Sequence, residues 1–445
     1  MIKSNDDENG GVFSSGFSRY FKSRLAGDAL ALSAAHFLGL VVPFVTIPYL
    51  ARVLRPEGFG LLIFAQSFSL WLVLVIEYGF DLSGTRGVSR IKRGDLASLT
   101  ELVTGIQSAK ILALFFTIPV AVTALFAVPL FRDNPAYLIW GLAFAVTRGL
   151  SPNWYFFGQE RMIAPAFLEA GGKVVAAAGV FLLVKVPEHG WRVLALQALG
   201  MSAAVTYMTL WMYREICWTW PNPKEGFSML KRSSGIFVFR SASGLYMQAN
   251  AFILGLITTP AVVGFFGGAE RIIRAGISVL QPISQAFFPR VSHSIVTDLE
   301  AAGRLLKLSF LWIGCLSLVM GVVSFLTAPQ LVGLLLVPGY ETAVPILRLL
   351  STLLPIIGLG TVLGIQWALP LGFELPFSVL VLLAGWGNVS LAFLLVPRLG
   401  GMGMASSVVI AEALVVGGLL LLFHRKGGSL WPLRVVGIQS GYERS

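Results

Sequence analysis

Charge is what this chain has least of. Asp, Glu, Lys and Arg make up 12% of its 445 residues, about half the ~25% of an ordinary soluble domain, which excludes the soluble globular class. Soft ligands are scarce as well, with four histidines and two cysteines, Cys217 and Cys315. The cysteines fall in or beside separate apolar runs without metal spacing, so they read as packing residues. After the first ~25 residues no stretch is polar for the ~50 residues a soluble domain needs. The chain has no Walker A loop, metal-binding cluster or nucleophile elbow, and catalysis is left without support. It also lacks segments of alternating polarity, which excludes a membrane β-barrel.

What fills the chain is apolar sequence, 56% hydrophobic with mean hydropathy +0.79. Runs of ~20 residues are long enough to cross a bilayer as helices. Apolar runs punctuated by Gly, Pro and charge predict twelve spans, at about 28–51, 58–83, 105–128, 136–157, 163–185, 190–213, 233–257, 260–288, 305–327, 343–370, 374–396 and 399–423. The run 329–337 is too short to cross and is expected in the interface. The segment 1–24 has no apolar core, so no cleavable signal peptide is expected. Its basic part, 12–24, reads as an amphipathic interfacial helix.

Lysine and arginine set the orientation. With the N-terminus inside, 20 of the 33 fall on inside segments, 6 on outside loops and 7 within spans. Both termini are therefore expected in the cytoplasm. Net charge is +11, yet no aromatic-interleaved basic patch lies outside the spans, and nucleic acid is rejected as a partner.

The two halves resemble each other. Pro56-x3-Gly60-x4-Ala65-Gln66 recurs as Pro260-x3-Gly264-x4-Ala269-Glu270, an offset of 204 residues, and Arg86 maps to Arg290. Six spans separate the copies, an even number, so the repeats run parallel around an axis along the membrane normal. The expected fold is an all-α polytopic membrane protein of twelve transmembrane helices, in two parallel six-helix lobes around a central cavity. Its parts are a cytoplasmic segment 1–24, an N-lobe 25–213, a linker 214–232, a C-lobe 233–424 and a tail 425–445.

Six charges sit deep within apolar runs: Arg148, Lys173, Arg240, Glu270, Arg271 and Arg274. Each costs roughly 2.5–3.5 kcal/mol to insert, so a functional reading is the default. Five of the six are basic, which points to a wet, cationic interior and an anionic cargo. Glu270–Arg274 and Glu169–Lys173 are i,i+4 neighbours that can pair, leaving a surplus positive charge on 260–288. Arg240 reads either as cavity wall, with Tyr246, Gln248 and Asn250, or as a snorkelling arginine. Lys110 and Arg348 lie near span ends and are expected to snorkel. Asp28, Glu77, Asp81 and Arg86 form a gate network or a solvated rim. His36 reads as a packing histidine, while Glu270, Glu412 and His36 are candidates for proton coupling. Guanidinium groups bind phosphate oxygens bidentately and stay charged when poorly hydrated. A cavity lined by several suits a diphosphate headgroup.

Several segments resemble a known family. Residues 48–60 (PYLARVLRPEGFG) look like the first-loop signature of O-antigen and exopolysaccharide flippases, of the multidrug/oligosaccharidyl-lipid/polysaccharide exporter superfamily. Residues 77–86 (EYGFDLSGTR) are similar to that family's DYGFNLSATR segment, and 151–160 (SPNWYFFGQE) to its NPSWLFQGIE segment. The run from AERIIR (269–274) through PISQ (282–285) to FPRVS (288–292) resembles AEKIVRA…PISQALYPRIS. The resemblance spans roughly residues 25–425. It implies a transporter of a bacterial inner membrane that flips undecaprenyl-pyrophosphate-linked oligosaccharide to the periplasmic leaflet by alternating access. It further implies coupling to a H+ or Na+ gradient, no cofactor, a lipid surround, a monomer, and polysaccharide polymerase or assembly proteins as partners. The pyrophosphate and glycan would then meet Arg148, Lys173, Arg240, Gln248, Asn250, Arg271 and Arg274. Asp28, Glu77, Asp81, Arg86, Glu270 and Glu412 would serve the gate or the ion. The aromatic run 154–157 departs from the pattern, as a sugar-stacking platform or as packing. Two rival readings are a cation or drug antiporter and a membrane polysaccharide polymerase or ligase. The first favours acidic or neutral cavities, and the second needs a larger outside loop than 328–342.

Overall fold

A computed structural model describes residues 10–92 and 94–425, with side chains at 10–37, 40, 239, 242, 243, 245–247 and 299 outside the described set. The side chains of Asp28, His36 and Tyr246 thus lie outside the described residues, as does the tail 426–445. The chain is helical throughout, without strands among the described residues. Among the described residues, eight helices are long and apolar enough to cross a membrane. Exposed Phe115, Phe116, Phe126, Leu182, Leu375 and Trp386 clothe their outer faces. A water-facing surface would not tolerate so many large apolar groups, whereas lipid requires them. The chain is a multi-pass membrane protein.

Helix α1 (Gly10–Glu77) is bent at Arg55, whose φ of 56° divides it into two arms. The break falls in the loop expected between the first two spans, next to Pro56. The second arm ends at Glu77, where Tyr78 (φ 48°) and Gly79 (φ 77°) turn the chain into α2 (Phe80–Arg90). Helix α3 (Leu96–Ala127) follows, then the short α4 (Pro129–Asp133). The run expected at 136–157 is two helices, α5 (Pro135–Gly149) and α6 (Asn153–Gly158). Pro152 has no N–H to continue the ladder, which accounts for the break. Helices α7 (Ile163–Leu183) and α8 (Gly190–Glu215) complete the first half.

The second half starts with α9 (Pro223–Gln248) and α10 (Asn250–Ile257). Next come α11 (Pro260–Thr297) and α12 (Leu299–Leu326). The interfacial run is the eight-residue α13 (Ala328–Leu335). Helices α14 (Ala343–Ser351) and α15 (Leu353–Gly360) lead into a π-helix over Thr361–Ala368. There the buried Gln366 donates to Ser284 Oγ at 3.3 Å and accepts from Ser309 Oγ. Helices α16 (Glu374–Leu399) and α17 (Gly401–Arg425) close the half.

The repeat has a physical counterpart. A Cβ on Gly60 would strike the Pro260 carbonyl, and a Cβ on Gly264 would strike that of Pro56. Gly267 faces Ile63, so residues 204 apart meet each other here. Reciprocal contact between equivalent positions is what a two-fold relation demands at its axis. The α1 second arm and α11 cross there backbone to backbone. The linker, in contrast, is docked on the first half. The Asn222 N–H donates to Ser108 Oγ on α3 at 2.9 Å, and Gly226 of α9 abuts Ser108 and Leu112.

Candidate functional site

The deep charges gather at two levels of the α1 second arm. Gln66 and Glu77 are eleven residues apart, three turns, so they share a face roughly 16 Å apart along the axis.

At the Glu77 level the carboxylate lies within coulombic reach of Lys110, Arg148, Arg240 and Glu169. Arg148, in the last turn of α5, in turn influences Lys173, as does Glu169. Glu169 accepts a hydrogen bond from Asn153 Nδ2. That bond takes the place of the expected direct Glu169–Lys173 pair. The Lys173 ammonium instead lies beside the first arm of α1, 3.8 Å from where a Cβ on Gly39 would stand. Asp81 is ion-paired with Arg240. This pair joins α2 of the first half to α9 of the second, and neighbouring contacts reinforce it. Tyr78 stacks on Phe237 with centroids 4.0 Å apart and rings 4° from parallel. A Cβ on Gly79 would come 2.8 Å from Ile236 Cγ2. Thus Arg240 joins a clasp between halves and does not snorkel. Arg86 is exposed on the rim.

Lys110 corrects an expectation. It does not snorkel but is 1% exposed, and its ammonium donates to the Ser151 carbonyl at 2.9 Å. Arg348 is exposed, its guanidinium 5.6 Å from the Phe325 ring centroid.

At the second level, Arg274 donates to Glu270 Oε1 at 2.7 Å, the expected i,i+4 pair. The surplus charge is Arg271, which bonds Gln66 Oε1 and lies 5.2 Å from the Phe59 ring centroid. Gln66 Nε2 donates onward to Gln197 Oε1 at 3.1 Å, so a polar chain runs from α11 through α1 to α8. Tyr340 closes this end. Its hydroxyl donates to the Ala51 carbonyl at 3.3 Å, and its ring meets Phe59 and Phe265 edge-on. The loop that carries it is held by the Gly339 N–H donating to Glu341 Oε1 at 3.0 Å. That bond keeps the Glu341 carboxyl below its ordinary range.

Counting charges sharpens the electrostatics. Lys110, Arg148, Lys173 and Arg240 face Glu77, Asp81 and Glu169 at one level, while Arg271 and Arg274 face Glu270 at the other. Each level keeps one more positive charge than it neutralises. Five of the seven buried side-chain polar atoms without a hydrogen-bond partner among the described residues belong to residues at or next to the Glu77 level: Asp81 Oδ1, Ser151 Oγ, Asn153 Oδ1, Trp154 Nε1 and Ser241 Oγ. Hydrogen-bonding capacity is therefore left uncommitted there.

Comparison with known proteins gives this arrangement a family. Residues 25–295 match the family described as polysaccharide biosynthesis protein. The chain belongs to that family. It is 28% identical over 436 residues to a protein of Escherichia coli (strain K12) named "Putative O-antigen transporter", covering 91% of this chain and 97% of that one. A Shigella dysenteriae protein of the same name is 26% identical over 397 residues, covering 87% and 97%. Among solved structures, lipid II flippase MurJ in an inward closed conformation matches with TM-score 0.69 and 13% identity, over 89% of this chain and 87% of that one. An inward-facing MATE family multidrug resistance transporter of the MOP superfamily matches with TM-score 0.61 and 16% identity, over 87% and 98%. These two establish the fold, which is the exporter fold the sequence resembles.

Within this polysaccharide biosynthesis family member, the remaining expected residues have other partners or surroundings. Asn250 is 3% exposed and accepts from Asn388 Nδ2 at 2.9 Å, tying α10 to α16. The Gln248 carbonyl accepts from Ser67 Oγ. Glu412 is half-buried on α17. Trp154, Tyr155 and Phe156 are buried and pack, Phe157 is exposed, and Tyr155 donates to Glu215 Oε2 at 2.8 Å. Gln66, Gln197 and Lys110 are the members that sequence reasoning missed. Gln66 had a signal, since it occupies the repeat position of Glu270.

Proposed function

We propose that this chain is a flippase for undecaprenyl-pyrophosphate-linked oligosaccharide, an O-antigen or exopolysaccharide repeat unit. It would carry that cargo from the cytoplasmic to the periplasmic leaflet of a bacterial inner membrane. The observation that carries this reading is the pair of charge levels on one face of the α1 second arm, each with a surplus cation. A diphosphate entering from the cytoplasm meets Arg148, Lys173 and Arg240 first, then Arg271 and Arg274 about 16 Å farther on. Two moderate sites in series suit transport better than one clamp, because cargo must also leave. Uncommitted polar atoms around Ser151, Asn153 and Trp154 suit a hydroxylated glycan once the halves part, and the polyprenyl tail stays in lipid.

The same geometry supports alternating access. Twelve spans in two six-helix halves, with both termini cytoplasmic, rock about the Gly60–Gly264 crossing. The Asp81–Arg240 clasp with Tyr78–Phe237 is the cytoplasmic closure, and Tyr340 is the periplasmic one. Coupling to a H+ or Na+ gradient is assigned to Glu77 and Glu270, the acids among the cations. The transporter works as a monomer and passes its product to polysaccharide polymerase or assembly proteins. The names of its curated relatives support this substrate class. Depleting the protein tests it: lipid-linked oligosaccharide should accumulate where only cytoplasmic-side probes reach it. Unchanged leaflet distribution in depleted cells would count against the reading.

A further inference from the structure

We infer that Lys110 is a positioning residue for Arg148: its ammonium, out of reach of any cargo, holds the α5–α6 joint that aims the guanidinium at the Glu77 level. The effect on export rests on the transport reading above, while the geometry does not. Helix α5 ends at Gly149, and the carbonyls of a helix's last turn have no donor of their own helix. Pro152 supplies none. The Ser151 backbone is held at both its N–H and its carbonyl. Its N–H donates to the Arg148 carbonyl at 3.1 Å, and its carbonyl accepts from Lys110 Nζ at 2.9 Å. A single bonded link thus connects the buried amine to the backbone of Arg148.

Burial excludes the simpler roles. At 1% exposure Lys110 cannot touch a phosphate or a sugar. An ammonium in this setting is costly, and it is tolerated where it meets a helix C-terminus and an opposite charge. Glu77 supplies that charge at a distance, but the one hydrogen bond of Lys110 among the described residues goes to the joint. Asn153, on the far side of the same joint, binds Glu169. The break is therefore pinned at two points, with Arg148 on the turn before them.

Cysteine labelling tests this independently of cargo. In a Cys217→Ser, Cys315→Ser background, Arg148→Cys is titrated with a charged methanethiosulfonate reagent in native membranes. Adding Lys110→Met should change the labelling rate several-fold, and Lys110→Arg should keep it near the parent's. With Arg148 intact, Lys110→Met should lower surface-glycan export several-fold at unchanged membrane abundance. In the labelled background, adding Glu77→Gln to Lys110→Met should not restore the parent's labelling rate. If Lys110→Met fails to reach the membrane, Lys110→Gln carries the same readouts. Unchanged labelling, or rescue by Glu77→Gln, overturns the positioning role and leaves charge balance in its place. Altered labelling in a protein that moves no lipid-linked glycan would sustain the positioning role and sink the transport reading instead.

Discussion

Arg271 and Gln66 show how a lone charge is kept within a helix bundle. Glu270 is taken by Arg274, so Arg271 depends on the Gln66 carbonyl oxygen and the Phe59 ring. Hydrogen bonds to charged groups are worth about 1.5–3 kcal/mol. Gln66→Leu should therefore lower the melting temperature of the purified protein, and Gln197→Leu should lower it less, because Gln197 reaches Arg271 only through Gln66. Equal effects would show that the chain of bonds does not carry the charge. Arg148 and Arg274, partly exposed like Arg271, face the cargo with it on the proposed reading. Arg148→Ala and Arg274→Ala should each abolish surface glycan with membrane abundance intact, and normal glycan in both would remove the cationic passage. Glu341 supplies a pH signature. Its folded-state carboxyl titrates below the ordinary value of about 4.3, so its bond to Gly339 is fully present above that value and is lost as pH falls through the folded one. Hydrogen-exchange protection in 337–342, taken relative to the intrinsic rate at each pH, should be flat from neutral pH to about 4.3 and fall below it, and Glu341→Gln should erase the step.

Among the elements, the α1–α11 crossing and the Asp81–Arg240 clasp both join the halves. Gly60 meets backbone, which cannot step aside, so Gly60→Ala should cost about 1–3 kcal/mol in thermal or denaturant unfolding. Gly314 faces open space, and Gly314→Ala in α12 should be neutral or slightly stabilising. A similar loss at both positions would mean that helix propensity, and not the crossing, sets the cost. For the clasp, Asp81→Arg should impair export, and adding Arg240→Asp should recover part of it. Apolar periodicity made most helices legible, as did the repeat that puts Gly60 against Gly264. The breaks were legible only in part. Pro152 marked the α5–α6 joint, whereas the π-helix at 361–368 has no local sign and comes from the packing of Gln366 between Ser284 and Ser309. Lys110 was misread because distance from a span end says nothing about neighbours, and its amine turns inward to a carbonyl forty-one residues away. Asn250 looked like cavity wall because a polar residue in an apolar run often is one. Its partner Asn388 lies in a different helix, and spacing within one helix does not reveal it.

For the molecule as a whole, the surplus of positive charge is smaller than the isolated sequence suggested. Glu77, Asp81 and Glu169 offset much of it and leave about one charge at each level. That balance suits a cargo that binds, moves on and is released, and it distinguishes transport from tight storage of a polyanion. On the proposed reading the reciprocal crossing is the axis about which the two halves tilt, with the clasp and Tyr340 at its opposite ends. The most direct measurement is flipping by the purified protein in sealed vesicles. Vesicles are loaded with polyprenyl-diphosphate-linked oligosaccharide, and appearance of the glycan in the outer leaflet is read with an impermeant glycan-cleaving enzyme. Protein-dependent exposure is expected, slowed by both Arg148→Ala and Arg271→Ala and inhibited by excess polyprenyl diphosphate without sugar. Exposure at the same rate in protein-free vesicles, or no slowing in either variant, would contradict the flippase reading.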